Sequence, residues 1–115
     1  MKQFTTSEQT AKLIELGFEK PKGWCVEGIS SRLIMYKHKE DDEGFNYSIG
    51  ELLSFLPKSI KVNDLFFTLC IHTSNEYWIV EYADISFGTQ ARLYKEELID
   101  ALFAEIVILK EEGVI

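Results

Sequence analysis

The residues best placed to do chemistry are Cys70, His72 and Glu81. Residues 65–73 and 77–83 are two β-rich runs separated by Ser74-Asn75-Glu76. With Asn75-Glu76 as a tight turn, Cys70 falls opposite Glu81 and His72 opposite Ile79, all on one surface of a hairpin. A thiol, an imidazole and a carboxylate are the ingredients of a cysteine nucleophile site. Such sites usually place the cysteine at a helix start or in a loop, where the thiolate is stabilised. A cysteine in the middle of Leu-Cys-Ile reads instead as packing. No catalytic site is therefore expected, and Cys70, His72 and Glu81 stand as the candidates should there be one.

Other chemistry is excluded by number and spacing. Cys25 and Cys70 lie in apolar contexts, no CxxC pair occurs, and two Cys with two His are too few for the common zinc spacings. Both are expected to be buried, reduced thiols that need neither a disulfide nor a metal. His38 and the run Glu40-Asp41-Asp42-Glu43 offer oxygen ligands to a divalent cation. The spacing does not match a calcium-binding loop, and a charged turn is ordinarily just solvated. Gly44, Gly50 and Gly88 are isolated, so nothing cradles a phosphate. No cofactor is expected.

The charge is uneven. Residues 1–61 balance nine acids against nine bases, whereas residues 62–115 carry ten acids and three bases, which accounts for the whole net charge of −7. Phosphate-backbone binding needs a basic face, so direct contact with nucleic acid is not expected. The start of the chain has no apolar h-region, and no apolar run approaches the ~18 residues of a membrane helix. A cytoplasmic protein with no membrane contact is the expectation.

These residues must be positioned by a core, and 115 residues at 46% hydrophobic content suffice for a single domain spanning 1–115. A helix over 7–16 follows a capping box, either Thr5 with Glu8 or Thr6 with Gln9, and Gly17 stops it. Leu13, Ile14, Leu16 and Phe18 supply its buried side. Trp24-Cys25-Val26 reads equally as a short strand or an ordered loop. A strand over 33–38, a polar turn and a short return strand at 45–47 suggest a small hairpin. Ser48 and Glu51 form a second capping box, opening a helix with the stripe Ile49, Leu52, Leu53 and Leu56, which Pro57 ends.

In the central hairpin, about 65–83, Thr73 faces Trp78, Ile71 faces Val80 and Leu69 faces Tyr82. The apolar sets then share one side, and a slip of one residue would break the match. On the other side, Phe66, Tyr77 and Ile79 are either covered by another element or mark a contact surface. A turn at 86–89 and a short strand at 91–94 follow. The last helix, 95–112, is stopped by Gly113. Leu98, Leu102, Ile106 and Leu109, with Ile99, form its core stripe. Ala101, Ala104 and Ile108 form a second stripe, expected to be the interface of a homodimer. The fold class expected is α+β, a small antiparallel sheet with three helices packed on it.

Three segments resemble a family of small uncharacterised proteins of Bacteroidetes genomes, often associated with prophages or mobile elements. They are Tyr47-Ser48-Ile49-Gly50-Glu51-Leu52-Leu53 running to Leu56-Pro57-Lys58, the hairpin with Tyr77-Trp78 and Tyr82, and the tail from Glu97 through Leu102 and from Leu109 to Ile115. The shared motifs are structural, so the resemblance implies an accessory role of phage type and transfers no functional residue. The function expected is a non-enzymatic protein-interaction module with an unidentified protein partner. The alternatives are an acidic mimic of nucleic acid that blocks a DNA-binding partner, and a small Cys/His-dependent enzyme. Carboxylates arrayed on one surface would mark the mimic, and a pocket around Cys70 the enzyme.

Overall fold

Two threonines compete to cap the first helix, and hydrogen bonding decides between them. The computed structural model describes residues 2–21, 46–86 and 88–115 in full, and residues 24–29 and 32–37 as backbone. Helix α1 (Ser7–Glu15) is capped by Thr6, whose hydroxyl accepts from the Gln9 N–H at 3.2 Å while the Gln9 side chain accepts from the Thr6 N–H at 2.9 Å. Thr5 cannot cap because its hydroxyl is used elsewhere. It lies 2.7 Å from the Thr10 hydroxyl and accepts the Tyr47 N–H at 3.0 Å. Thr5 thus ties α1 to the segment leading into the second helix. Of the expected apolar side of α1, Leu13 is fully buried, whereas Ile14 faces outward.

Strands β1 (Trp24–Ile29) and β2 (Arg32–Lys37) pair antiparallel, with Cys25 opposite Tyr36. The strand at 33–38 therefore pairs with the segment before it. The return strand expected at 45–47 is not formed at Tyr47, whose backbone bonds Thr5 instead, and Phe45 lies outside the described residues. Helix α2 (Ile49–Phe55) has the Ser48–Glu51 capping box. Leu52 and Leu56 are buried and Leu53 is largely exposed. Phe18 and Tyr47 both pack on Phe55, at 4.9 Å and 5.5 Å between ring centroids, the first tilted and the second edge-on, which joins the end of α1 to α2. Burial, with Glu51 and Glu19 nearby, pushes the Tyr47 hydroxyl up to about 12, so it remains a donor to the Glu19 carbonyl.

The main sheet is an antiparallel meander in the order β3 (Ser59–Val62), β4 (Leu65–Ser74), β5 (Tyr77–Asp84) and β6 (Gly88–Lys95). The β4–β5 register has Leu69 opposite Tyr82, Ile71 opposite Val80 and Thr73 opposite Trp78, with Asn75 in the turn at a φ of 56°. Strand β3 is an addition to the expected elements. Asn63 and Asp64 join it to β4 with φ values of 51° and 67°, both in the left-handed region that a two-residue hairpin of type I′ requires. Asp tolerates that region less well than Gly. Asp64→Gly is therefore expected to stabilise the fold by about 0.5 kcal/mol, read as a raised thermal midpoint, because the exposed Lys61–Asp64 pair it removes contributes little.

The inner face of the sheet, with Ile60, Phe67, Val80 and Tyr82, joins Leu13, Leu52 and Leu56 in one core. Helix α3 (Leu98–Glu111) lies against α2, β5 and β6. It begins at Leu98 because Lys95 still belongs to β6, and Gly113 ends it at a φ of 77°. The architecture is α+β, as its element pattern requires.

No residue of α3 before Glu111 is exposed. Its outer edge is held by side chains from the start of the chain. Gln9 donates to Asp100 at 2.9 Å, Lys2 pairs with Asp100 at 3.0 Å, and Lys12 pairs with Glu111 at 3.6 Å. This packing divides the second stripe. Ala101 is fully buried in the chain's own core, and Ala104 and Ile108 are half-buried, because α3 packs over a wider arc than one apolar stripe. Among the described residues no helix is long and apolar enough to cross a membrane.

Candidate functional site

Strand periodicity alone puts Phe66, Cys70 and His72 of β4 on the face opposite the core, with Tyr77, Ile79 and Glu81 of β5. The register sets Cys70 opposite Glu81 and His72 opposite Ile79. Tyr94 of β6 lies opposite Ile79 on its other side. This face is exposed at Phe66 on β4, at Tyr77 where β5 begins and at Tyr94 on β6, and closed at the middle of β5. Phe66, Tyr77 and Tyr94 are 64%, 44% and 50% exposed, whereas Ile79 and Glu81 on the central strand are 3% and 5% exposed. The result is a shallow trough whose floor is the middle of β5, at Ile79 and Glu81. Phe66 and Tyr77 mark the open surface; Ile79, expected with them, is buried in the floor.

A β-bulge builds the centre of the trough. Val80 faces Leu93 and Tyr82 faces Gln90, so the single residue Glu81 is opposed by both Ala91 and Arg92. Ala91 takes the left-handed conformation, with a φ of 51°. A bulge bends its strand and re-aims side chains, and here Arg92 is brought onto Glu81. The Arg92 Nε–H donates to Glu81 Oε2, and its Nη1 donates to the Tyr94 hydroxyl at 3.1 Å. His72 Nε2 lies 3.3 Å from the other carboxylate oxygen, Oε1. The Arg92 guanidinium also lies 5.9 Å from the Tyr94 ring centre, and Lys61 Nζ lies 5.8 Å from that of Phe66. A buried carboxylate is costly unless paired. The Arg92 hydrogen bond, aided by His72, outweighs desolvation and holds Glu81 below the usual carboxylate range.

Of the three residues suggested by the sequence, the structure brings together two. His72 and Glu81 meet, but the half-buried thiol of Cys70 forms no hydrogen bond to either among the described residues. A cysteine nucleophile needs the imidazole between thiol and carboxylate. Here the carboxylate stands opposite the cysteine, and His72 Nε2 and Arg92 Nε are both directed at Glu81. Arg92 and Tyr94 were not singled out from the sequence. The available signal was a lone arginine on a strand in the acidic half of the chain.

No family model, curated protein or solved structure matches the chain. The resemblance carried by its capped helix, hairpin and tail rests on those residues alone.

Ala101, Ala104 and Ile108, the expected interface, lie on α3, across the core from the trough. Not all carboxylates of the acidic half are available to form one charged surface. Asp64 and Glu76 occupy turns at opposite ends of β4, while Glu81 and Glu105 are buried. His38, Glu40 and the rest of the acidic run lie outside the described residues.

Proposed function

We propose that this chain is a non-enzymatic binding module that takes a partner protein on the open face of the β3–β6 sheet. The carrying observation is the set of exposed aromatics, Phe66, Tyr77 and Tyr94, around a fixed Glu81–Arg92–His72 cluster. Aromatic residues and arginine dominate the energetic centres of protein interfaces, because they bring large contact areas at low cost in side-chain entropy. The cluster adds rigidity, since Arg92 is oriented before any partner arrives. The lack of a Cys70–His72 hydrogen bond favours this reading over a thiol enzyme. An accessory role of phage type follows only from the sequence resemblance.

The test compares baits in cells that carry the gene. Wild type and Glu8→Ala, which alters only the exposed side of α1, are expected to retain the same protein, while a Phe66→Ser/Tyr94→Ser double variant loses it. A partner held equally by all three baits would place the interface elsewhere and overturn the proposal.

A further inference from the structure

The trough has an unused capacity at its centre, and resting on the binding-module reading, we infer that Arg92 is the recognition point for a single side-chain carboxylate flanked by apolar residues on the partner. A guanidinium carries five N–H donors in a planar fork. Arg92 directs Nε–H to Glu81 and one Nη1–H to the Tyr94 hydroxyl. The rest of the fork, including both hydrogens of Nη2, meets no acceptor among the described residues. The side chain is 42% exposed. Two N–H groups side by side on a guanidinium match the two oxygens of a carboxylate, and such bidentate pairs are about twice as strong as neutral hydrogen bonds. The Tyr94 hydroxyl accepts from Arg92 and keeps its own proton to donate to the same oxyanion.

The surroundings argue that the fork is built for recognition. Glu81 is buried, so its charge needs a partner delivered by the fold. A bulge with an alanine in left-handed conformation directs Arg92 onto it, and the bonds to Glu81 and Tyr94 orient the guanidinium. Charge selects a monoanion. The Glu81–Arg92 pair is formally neutral and the whole chain carries −7, so a phosphate dianion or a polyanion is repelled at longer range. A single carboxylate meets less of that repulsion. The half-exposed aromatic Tyr94 and the buried Ile79 beside it favour apolar neighbours for the acidic residue.

The test uses the full chain and three capped tripeptides, Phe-Glu-Phe, Phe-Gln-Phe and Phe-phosphoSer-Phe, followed by NMR of the Arg92 Nε–Hε group and backbone amides. The glutamate peptide is expected to shift the signals of Arg92 and Tyr94 saturably and to bind about tenfold more tightly than the glutamine peptide. Arg92→Lys, which keeps the charge but not the fork, is expected to lose most of that preference. Should Arg92→Lys fail to fold, the Glu81→Gln/Arg92→Gln double variant, which removes the guanidinium together with the buried charge it pairs, is expected to lose the preference as well. Equal binding of the glutamate and glutamine peptides on this face would overturn the carboxylate assignment while leaving the binding module intact. Tighter binding of the phosphopeptide would overturn it in favour of phosphate. Absence of any shift at Arg92 would also overturn it, and the bait comparison would then judge the module reading separately.

Discussion

Glu105→Leu is expected to stabilise the protein at about pH 8 by on the order of 3 kcal/mol and to remove most of the pH dependence of its stability above about pH 5. Glu105 sits on the buried stripe of α3 with Leu98, Leu102 and Leu109 and has no exposed surface. Neither carboxyl oxygen has a hydrogen-bond partner among the described residues. Burial, with the charge of Glu112 nearby, raises its pKa from the ordinary 4.5 to about 8. The folded state therefore holds a proton that the unfolded chain releases. That contribution is complete below the unfolded value, declines as pH rises, and is lost once pH passes the folded value near 8. A tenfold difference in proton affinity between the two states corresponds to about 1.4 kcal/mol, and local relaxation around the carboxylate trims the total.

Two other carboxylates work in the opposite direction. Glu81 is held low, chiefly by the Arg92 hydrogen bond. Desolvation alone would raise Asp100, but hydrogen bonds from Gln9 and Lys2 outweigh it and hold that carboxyl low. Their stabilisation is present above the unfolded carboxylate values and is lost as pH falls through the folded ones. Stability should therefore peak at mildly acidic pH and decline towards neutrality, and leucine at 105 should flatten the declining limb. Urea midpoints measured for both proteins across this range decide the matter. A wild type whose stability is level or rises from about pH 5 to about pH 8, or a leucine variant with the wild-type slope, would show that Glu105 is not buried as an acid.

The elements that the sequence made legible are those with local chemistry. Capping residues marked the starts of α1 and α2, and Gly17 and Gly113 marked the ends of α1 and α3. Strict alternation on both sides of Asn75 set the β4–β5 register, and with it the placement of His72 beside Glu81. What escaped depends on tertiary pairing. Strand β3 is too short for alternation to declare itself, although Asn63-Asp64 is a hairpin turn signal. The bulge that delivers Arg92 exists only as a mismatch between β5 and β6, and its left-handed residue is an alanine, which flags nothing. Glu105 falls at helical spacing within the core stripe, but a carboxylate is ordinarily assigned to the solvent side. Ala101 was ambiguous for a different reason. A small residue suits a close helix contact between chains as well as a tight contact within one.

Ala101→Glu is expected to unfold the chain, whereas Ala104→Glu is expected to leave it folded. Ala101 has no exposed surface, and a glutamate there would enter the stripe that already holds Glu105, one helical turn away. Burying a second unpaired carboxyl costs several kcal/mol, and overpacking adds roughly 1–3 kcal/mol. Together these approach the roughly 5–15 kcal/mol that a domain has in total. Ala104 lies on the half-buried edge of α3, on the same side as Asp100, which Lys2 reaches at 3.0 Å. A glutamate at 104 can extend towards water there, so its cost should stay within about 1 kcal/mol. Far-UV circular dichroism and thermal melts separate the two variants, and light scattering during size exclusion reports their oligomeric state. If α3 instead presented Ala101, Ala104 and Ile108 to a second copy, both variants would be folded monomers derived from a wild-type dimer. A cooperative melt of Ala101→Glu near the wild-type temperature would therefore remove Ala101 from the core and restore the stripe as an interface.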